Sequence, residues 1–215
     1  MTSRRCLAPL FAALVLPVLG CRPAPERTGT ASEAPDAAPP GPLLDPNLLG
    51  PDFQWRQRVT AQWTDEKARS FDAVLSKTDG ELLLLGLSPM GMPGFVLRLR
   101  PGAVEFENHS PERLPFDPHY IMIDVERVFF PWIPGEPPHD GERSHDAHGS
   151  RIAERWRAGR LEERTFRSLA KPDEAPIVVT YEGWDADAMA PRIARLRHGT
   201  YGYRLTIETL EQQRL

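Results

Sequence analysis

From Phe53 onward the chain sets short apolar runs between turn residues, and this pattern predicts a β-rich domain over 53–215. Trp55, Val59, Ala61 and Trp63 alternate with Arg56, Arg58, Thr60 and Gln62, the period of two expected for a strand with one wet face. After a turn at Asp65-Glu66, Phe71, Ala73 and Leu75 alternate with Asp72 and Ser76, and Asp79-Gly80 turns the chain again. The alternation then lapses. Leu82 to Leu85 are apolar on both faces, so the third strand should be covered on both sides or face a lipid-like ligand on one. Phe95, Leu97 and Leu99 against Arg98 and Arg100 restore it, and Pro101-Gly102 leads into Val104 and Phe106. Asp117-Pro118 opens the single strong helix, with an acid at the N-cap and Pro at the first helical position. Tyr120, Ile121, Asp124, Val125, Val128 and Phe129 follow at helical spacing, and Pro131 ends it. Strands are expected again over 151–157, 161–168, 176–182, 190–197 and 201–210. About ten strands and one helix predict a mostly β, α+β domain: an open antiparallel half-barrel with the helix packed across its concave face.

One connection breaks the rule that turns are polar. Ser88-Pro89-Met90-Gly91-Met92-Pro93-Gly94 carries two methionines where neighbours cannot pack around them. Pro89, Met90, Gly91 and Met92 are therefore expected either to fold back on the sheet or to touch something apolar outside the protein.

The N-terminal residues are not part of this pattern. Arg4 and Arg5, an apolar run from Leu7 to Val18, and Val18-Leu19-Gly20-Cys21 form a lipoprotein signal peptide over 1–20. The apolar run is shorter than the roughly 20 residues a membrane-spanning helix needs. Cys21 then becomes the acylated first residue of the mature chain, which predicts a lipid-anchored protein at the periplasmic face of the outer membrane. Residues 21–52, rich in Pro, Ala, Thr, Ser and Gly, read as a linker between that anchor and the domain.

Composition and motifs narrow the chemistry. Cys6 leaves with the signal and Cys21 is acylated, so no free thiol remains for a disulfide, a thiolate metal site or a nucleophile. The formal charge of −4 becomes −6 once Arg4 and Arg5 are removed, which gives no basic excess for nucleic acid. Arginines outnumber lysines 23 to 3, a bias that codon usage explains without a function. Phosphate-binding, nucleophile-elbow and zincin motifs are absent, and no set of nucleophile, base and orienting group stands out, so a non-enzymatic protein without a cofactor is expected. His139 to His148 holds three histidines and three acids, but its Pro and Gly content reads as a solvated loop rather than a metal site. Asp124 is expected at a solvated helix edge. The apolar interior offers Trp55, Val59, Trp63, Phe71, Leu84, Phe95, Leu97, Phe106, Ile123, Phe129, Val179 and Leu205 either as a filled core or as the wall of a cavity.

The order of apolar strand, Pro-apolar-Gly turn, strand, Pro-Gly-x-Val turn and strand in Glu81 to Glu107 resembles LolB, the outer-membrane receptor that takes lipoproteins from a periplasmic carrier. More closely it resembles the lipoproteins of the domain-of-unknown-function family DUF3261. Ser88-Pro89-Met90-Gly91 is similar to the Asn-Pro-Leu-Gly loop of LolB, with Met90 in the place of its exposed leucine. Val178 to Asp185 and Arg204 to Ile207 are similar to the closing strands of that fold. The resemblance implies a monomer with a concave face left partly empty for acyl chains, Met90 and Met92 as a membrane-insertion tip, and a periplasmic lipoprotein carrier as a partner. It leaves a lipid or polyene product as a rival cargo, and a scaffold with a filled core as the alternative to transport.

Overall fold

A computed structural model describes residues 43–63, 68–101, 103–110, 117–185 and 188–215. The signal peptide, Cys21, the linker up to residue 42, the Asp65-Glu66 turn and Gly102 lie outside the described residues.

Among the described residues eleven antiparallel strands form one open sheet. The first five make a meander: β1 (Phe53–Trp63), β2 (Arg69–Thr78), β3 (Glu81–Leu87), β4 (Pro93–Arg100) and β5 (Ala103–Asn108). After the helix α1 (Pro118–Phe129) come β6 (Gly141–Ala147), β7 (Ser150–Arg157), β8 (Arg160–Ser168), β9 (Ile177–Glu182), β10 (Ile193–His198) and β11 (Tyr203–Arg214). The strand order is β5-β4-β3-β2-β1-β11-β10-β9-β8-β7-β6. Its one non-sequential junction pairs β1 with β11, Phe53 opposite Arg214 through Trp63 opposite Tyr203. Because β5 and β6 are the two free edges, the chain between them must cross the whole sheet, and α1 makes that crossing on the inner face. The fold is therefore the expected open half-barrel, with one strand more than anticipated.

That extra strand is β6. The His139 to His148 segment is not a loop: its middle pairs with β7 from Gly141 opposite Trp156 to Ala147 opposite Ser150. Most of its side chains are exposed, as suits an edge strand that discourages further pairing with charge. Among the described residues no group of three or more His, Cys, Asp or Glu is placed to hold a metal ion. No helix among them is long and apolar enough to cross a membrane.

The outer face carries cross-strand arginine pairs. Arg58 donates to Asp72 at 2.9 Å, Arg100 to Glu81 at 2.6 Å and to Glu105 at 3.0 Å, and Arg98 pairs with Glu107. These are cross-strand ladders between solvated side chains, each worth little singly. The doubly apolar β3 divides between the faces: Leu82 and Leu84 are buried inward, while Leu83 and Leu85 are half-buried outward.

The ordered fold starts before the alternating pattern does. Leu43, Leu44 and Leu49, within the stretch read as linker, pack on the core formed by Phe53, Trp55, Leu75, Leu82 and Leu99. Asp45 caps a short 3-10 helix over Pro46–Leu49. Glu126 of α1, fully buried, accepts the Leu44 N–H at 2.9 Å. Burial pushes the Glu126 carboxyl up to about 8, so at neutral pH it is mainly protonated.

A carboxyl held above its ordinary 4.5 binds more protons in the folded than in the unfolded chain. Its contribution is complete below about pH 4.5 and is lost as pH rises to about 8. Glu126→Gln, which keeps an acceptor for Leu44, should remove this part of the pH dependence. The difference in unfolding free energy between the wild type and that variant, measured by urea titration, is expected to change by a few kcal/mol between pH 5 and 8.

Candidate functional site

The inner face divides into a packed half and a hollow half. On the β7–β11 side, Ile152, Leu161, Phe166, Val179, Tyr181, Ala194 and Leu196 close against Val128 and Ile133. The C-terminal end of α1 is fixed here. Arg164 Nη1 donates to the Arg127 carbonyl at 2.9 Å, and the Tyr181 hydroxyl donates to the Val128 carbonyl at 2.9 Å. Arg164 is itself held by Glu154 at 2.8 Å, and Glu154 also accepts from Arg143 and from Trp156 Nε1. Burial raises the Tyr181 hydroxyl to about 12, which keeps it a donor.

Toward the N-terminal half of α1 the sheet and helix part. The Asp117 side chain accepts the His119 N–H at 2.8 Å and caps a helix whose Ile121, Val125 and Phe129 face a chamber of about 650 Å³. The opposite wall is Val59, Ala61, Trp63, Phe71, Leu84, Gly86, Phe95, Leu205 and Ile207. The volume falls within the range of small-ligand sites. Small residues on the sheet, Ala61 and Gly86, contribute to it, and Gly86 lies in the row Gln57, Ala73, Gly86 and Phe95 that runs across β1 to β4. Phe95 lies over Gly86, where an added Cβ would come within 2.2 Å of the ring.

Seven of the residues expected from the sequence line this chamber: Val59, Trp63, Phe71, Leu84, Phe95, Phe129 and Leu205. Trp55 does not; it stacks on Phe53 and lines a second cavity of about 320 Å³ beyond Phe129. Leu97, Ile123 and Val179 are corrections of a different kind, since all three are buried in packed core. Phe106 is a further correction: it pairs opposite Leu97 on the edge strand β5 and is 38% exposed.

The turn between β3 and β4 stands beside the chamber. Leu87, Ser88, Pro89 and Gly94 are part of its lining, while Met90 and Met92 point into solvent, 89% and 63% exposed. Ser88 stabilises the turn, its N–H donating to the Met92 carbonyl at 2.8 Å and its carbonyl accepting from Gly91. Gly91 has φ +74°, a left-handed conformation that glycine adopts without strain. The two methionines do not fold back onto their hairpin.

Polar groups missed by the sequence reading also meet the chamber. Asp124 is buried, not solvated: Tyr203 donates to its Oδ2 at 2.5 Å and Arg127 to its Oδ1 at 2.8 Å. Burial raises the Asp124 carboxyl, with Arg127 and Tyr203 opposing. Its partner on β11 is distant in sequence, and the helical spacing gives no sign of it. Gln57, also inward, is the other polar group buried in the wall.

A family model described as Protein of unknown function (DUF3261) matches residues 54–211. The chain belongs to the DUF3261 family. Nothing matches it among curated proteins. Three solved structures are similar to this DUF3261 chain at low identity. A LolA superfamily protein from Nitrosomonas europaea is 9% identical, with a TM-score of 0.47 over 80% of this chain and 90% of that one. A proposed outer-membrane lipoprotein-sorting domain from Vibrio parahaemolyticus is 11% identical, with a TM-score of 0.48 over 76% and 85%. A DUF1329 family protein from Desulfovibrio piger is 12% identical, with a TM-score of 0.47 over 79% and 88%.

The open space in this DUF3261 chain depends on Phe95 keeping its seat. Gly86→Ala should force the ring toward the chamber and lower the unfolding free energy by about 1–3 kcal/mol. Combining it with Phe95→Leu should recover at least half of that loss in urea titrations; no recovery would show that the glycine acts through the backbone alone.

Proposed function

We propose that this protein is an outer-membrane lipoprotein, anchored through Cys21, that binds an acyl or lipid-like chain in its half-barrel and assists transfer of that chain into the membrane. The observation that carries this reading is the apolar chamber of about 650 Å³ opening beside two exposed methionines. A buried hydrocarbon chain gains about 0.8 kcal/mol per CH₂ and needs no polar chemistry to be held. Met90 and Met92 supply an adaptable apolar tip for the bilayer surface, where a chain leaving the chamber has to go. The acid on the chamber wall, Asp124, is tied by Tyr203 and Arg127 rather than free to act on a substrate, which favours a carrier over an enzyme. A periplasmic lipoprotein carrier is the proposed donor.

A fluorescent fatty acid titrated into the purified protein should bind saturably at one site per chain; absence of saturable uptake would leave only the scaffold reading. Met90→Glu should keep both this binding and the thermal midpoint, yet slow transfer to liposomes about tenfold or more, because a carboxylate resists entry into lipid. Equal transfer rates would remove the tip from the mechanism. Labelled palmitate should be incorporated in cells by the wild type and not by Cys21→Ser.

A further inference from the structure

Two hydrogen-bond donors on the inner face of β1 have no partner among the described residues. They are Gln57 Nε2 and Trp55 Nε1, both buried, on residues only 2% and 3% exposed. The residues are consecutive inward positions, roughly 7 Å apart along the strand. Buried N–H groups left without an acceptor are costly and uncommon, and two adjacent ones call for a reason. Among the described residues the other buried side-chain atoms without a partner are His119 Nε2 and Glu126 Oε2, both on α1, whereas Asp124, Glu154, Arg164 and Tyr181 are paired.

The pair also stands where two cavities meet. Gln57 lines the larger chamber and Trp55 the smaller cavity of about 320 Å³, and Phe129 lines both, its ring 5.2 Å from that of Trp55. The register of β1 against β11 shifts between Arg56 and Gln57, the extra residue being Leu210 on β11. Trp63, at the other end of the lining that β1 provides, is six residues from Gln57 and eight from Trp55, so the donors lie roughly 20 and 26 Å along the strand from it.

We infer that this junction is a subsite for a neutral oxygen carried in the far half of the ligand's chain, a hydroxyl, ketone or ester carbonyl. The inference rests on the acyl-chain reading above and narrows it to an oxygenated chain. Gln57 and Trp55 offer only neutral groups, which disfavours a buried carboxylate at this depth. The guanidiniums lining the smaller cavity, Arg143 and Arg164, are already paired with Glu154. A hydroxyl suits the site well, because it accepts from the Gln57 amide and can in turn donate to that amide's oxygen when the group rotates.

Displacement of a bound fluorescent fatty acid from the full chain tests this. The competitors are stearate, stearate hydroxylated beside the carboxyl, and stearate hydroxylated in the distal half of the chain. The distal hydroxystearate should compete about five- to tenfold better than the other two, the equivalent of one neutral hydrogen bond. In Gln57→Leu that advantage should fall to about one, with stearate binding retained and the thermal midpoint not lowered; Trp55→Phe should reduce it in part. Equal competition by all three in the wild type overturns the subsite while leaving the acyl-chain reading in place. So does a preference that survives both substitutions. Failure of stearate itself to compete removes both readings together.

Discussion

The architecture depends on one crossing. The sheet leaves β5 at one edge and resumes with β6 at the other, so a single segment must pass over the inner face, and the seating of that segment fixes what space is left. The crossing helix is about 18 Å long and is held chiefly by its carbonyl end. Arg164 and Tyr181 reach the last-turn carbonyls of Arg127 and Val128, placing a cation where the helix dipole is negative. The Arg164–Glu154–Arg143 chain behind them is buried or nearly so. Such networks contribute little net stability compared with apolar packing, but losing one member leaves an uncompensated charge. Their role here is to give the helix one position over the sheet.

The hollow follows from that asymmetry. At the fixed end, branched and aromatic side chains of β8, β9 and β10 fill the space beneath the helix. At the other end Ile121 and Val125 stand over Ala61 and Gly86, where the sheet offers little volume in return. A cavity lined in this way stays apolar, and its polar groups lie at defined levels: Asp124 with Tyr203 on one side, Gln57 deeper in. The convex face meanwhile repeats Arg–carboxylate pairs across seven of the ten strand junctions of the described sheet, so the arginine excess has a structural use whatever its codon origin.

Much of this could be read from the chain before folding. The alternation in β1, β2 and β4 and the Asp117-Pro118 to Pro131 frame of α1 are local signals, and they located the elements to within a residue or two. What stayed hidden was set by distant partners. β6 has little apolar alternation because its side chains face water at a free edge, and only its pairing with β7 makes it a strand. Asp124 looked solvated because Tyr203 is 79 residues away. Phe95 and Leu97 share a face and a strand, yet one walls the chamber and the other is packed solid; depth along the strand relative to the helix decides it, and sequence spacing does not carry depth. Leu43 and Leu44 were hidden for a related reason, since their partner Glu126 lies on the helix.

That early docking has a geometric consequence. Asn47, in the short helix after Leu44, lies against Gly80 in the turn that precedes β3, whereas Met90 sits in the turn that follows it. The entering chain and the methionine tip are thus at opposite poles of the strand, roughly 23 Å apart for seven residues. A surface that meets the methionine turn therefore meets the pole of the sheet away from Leu44.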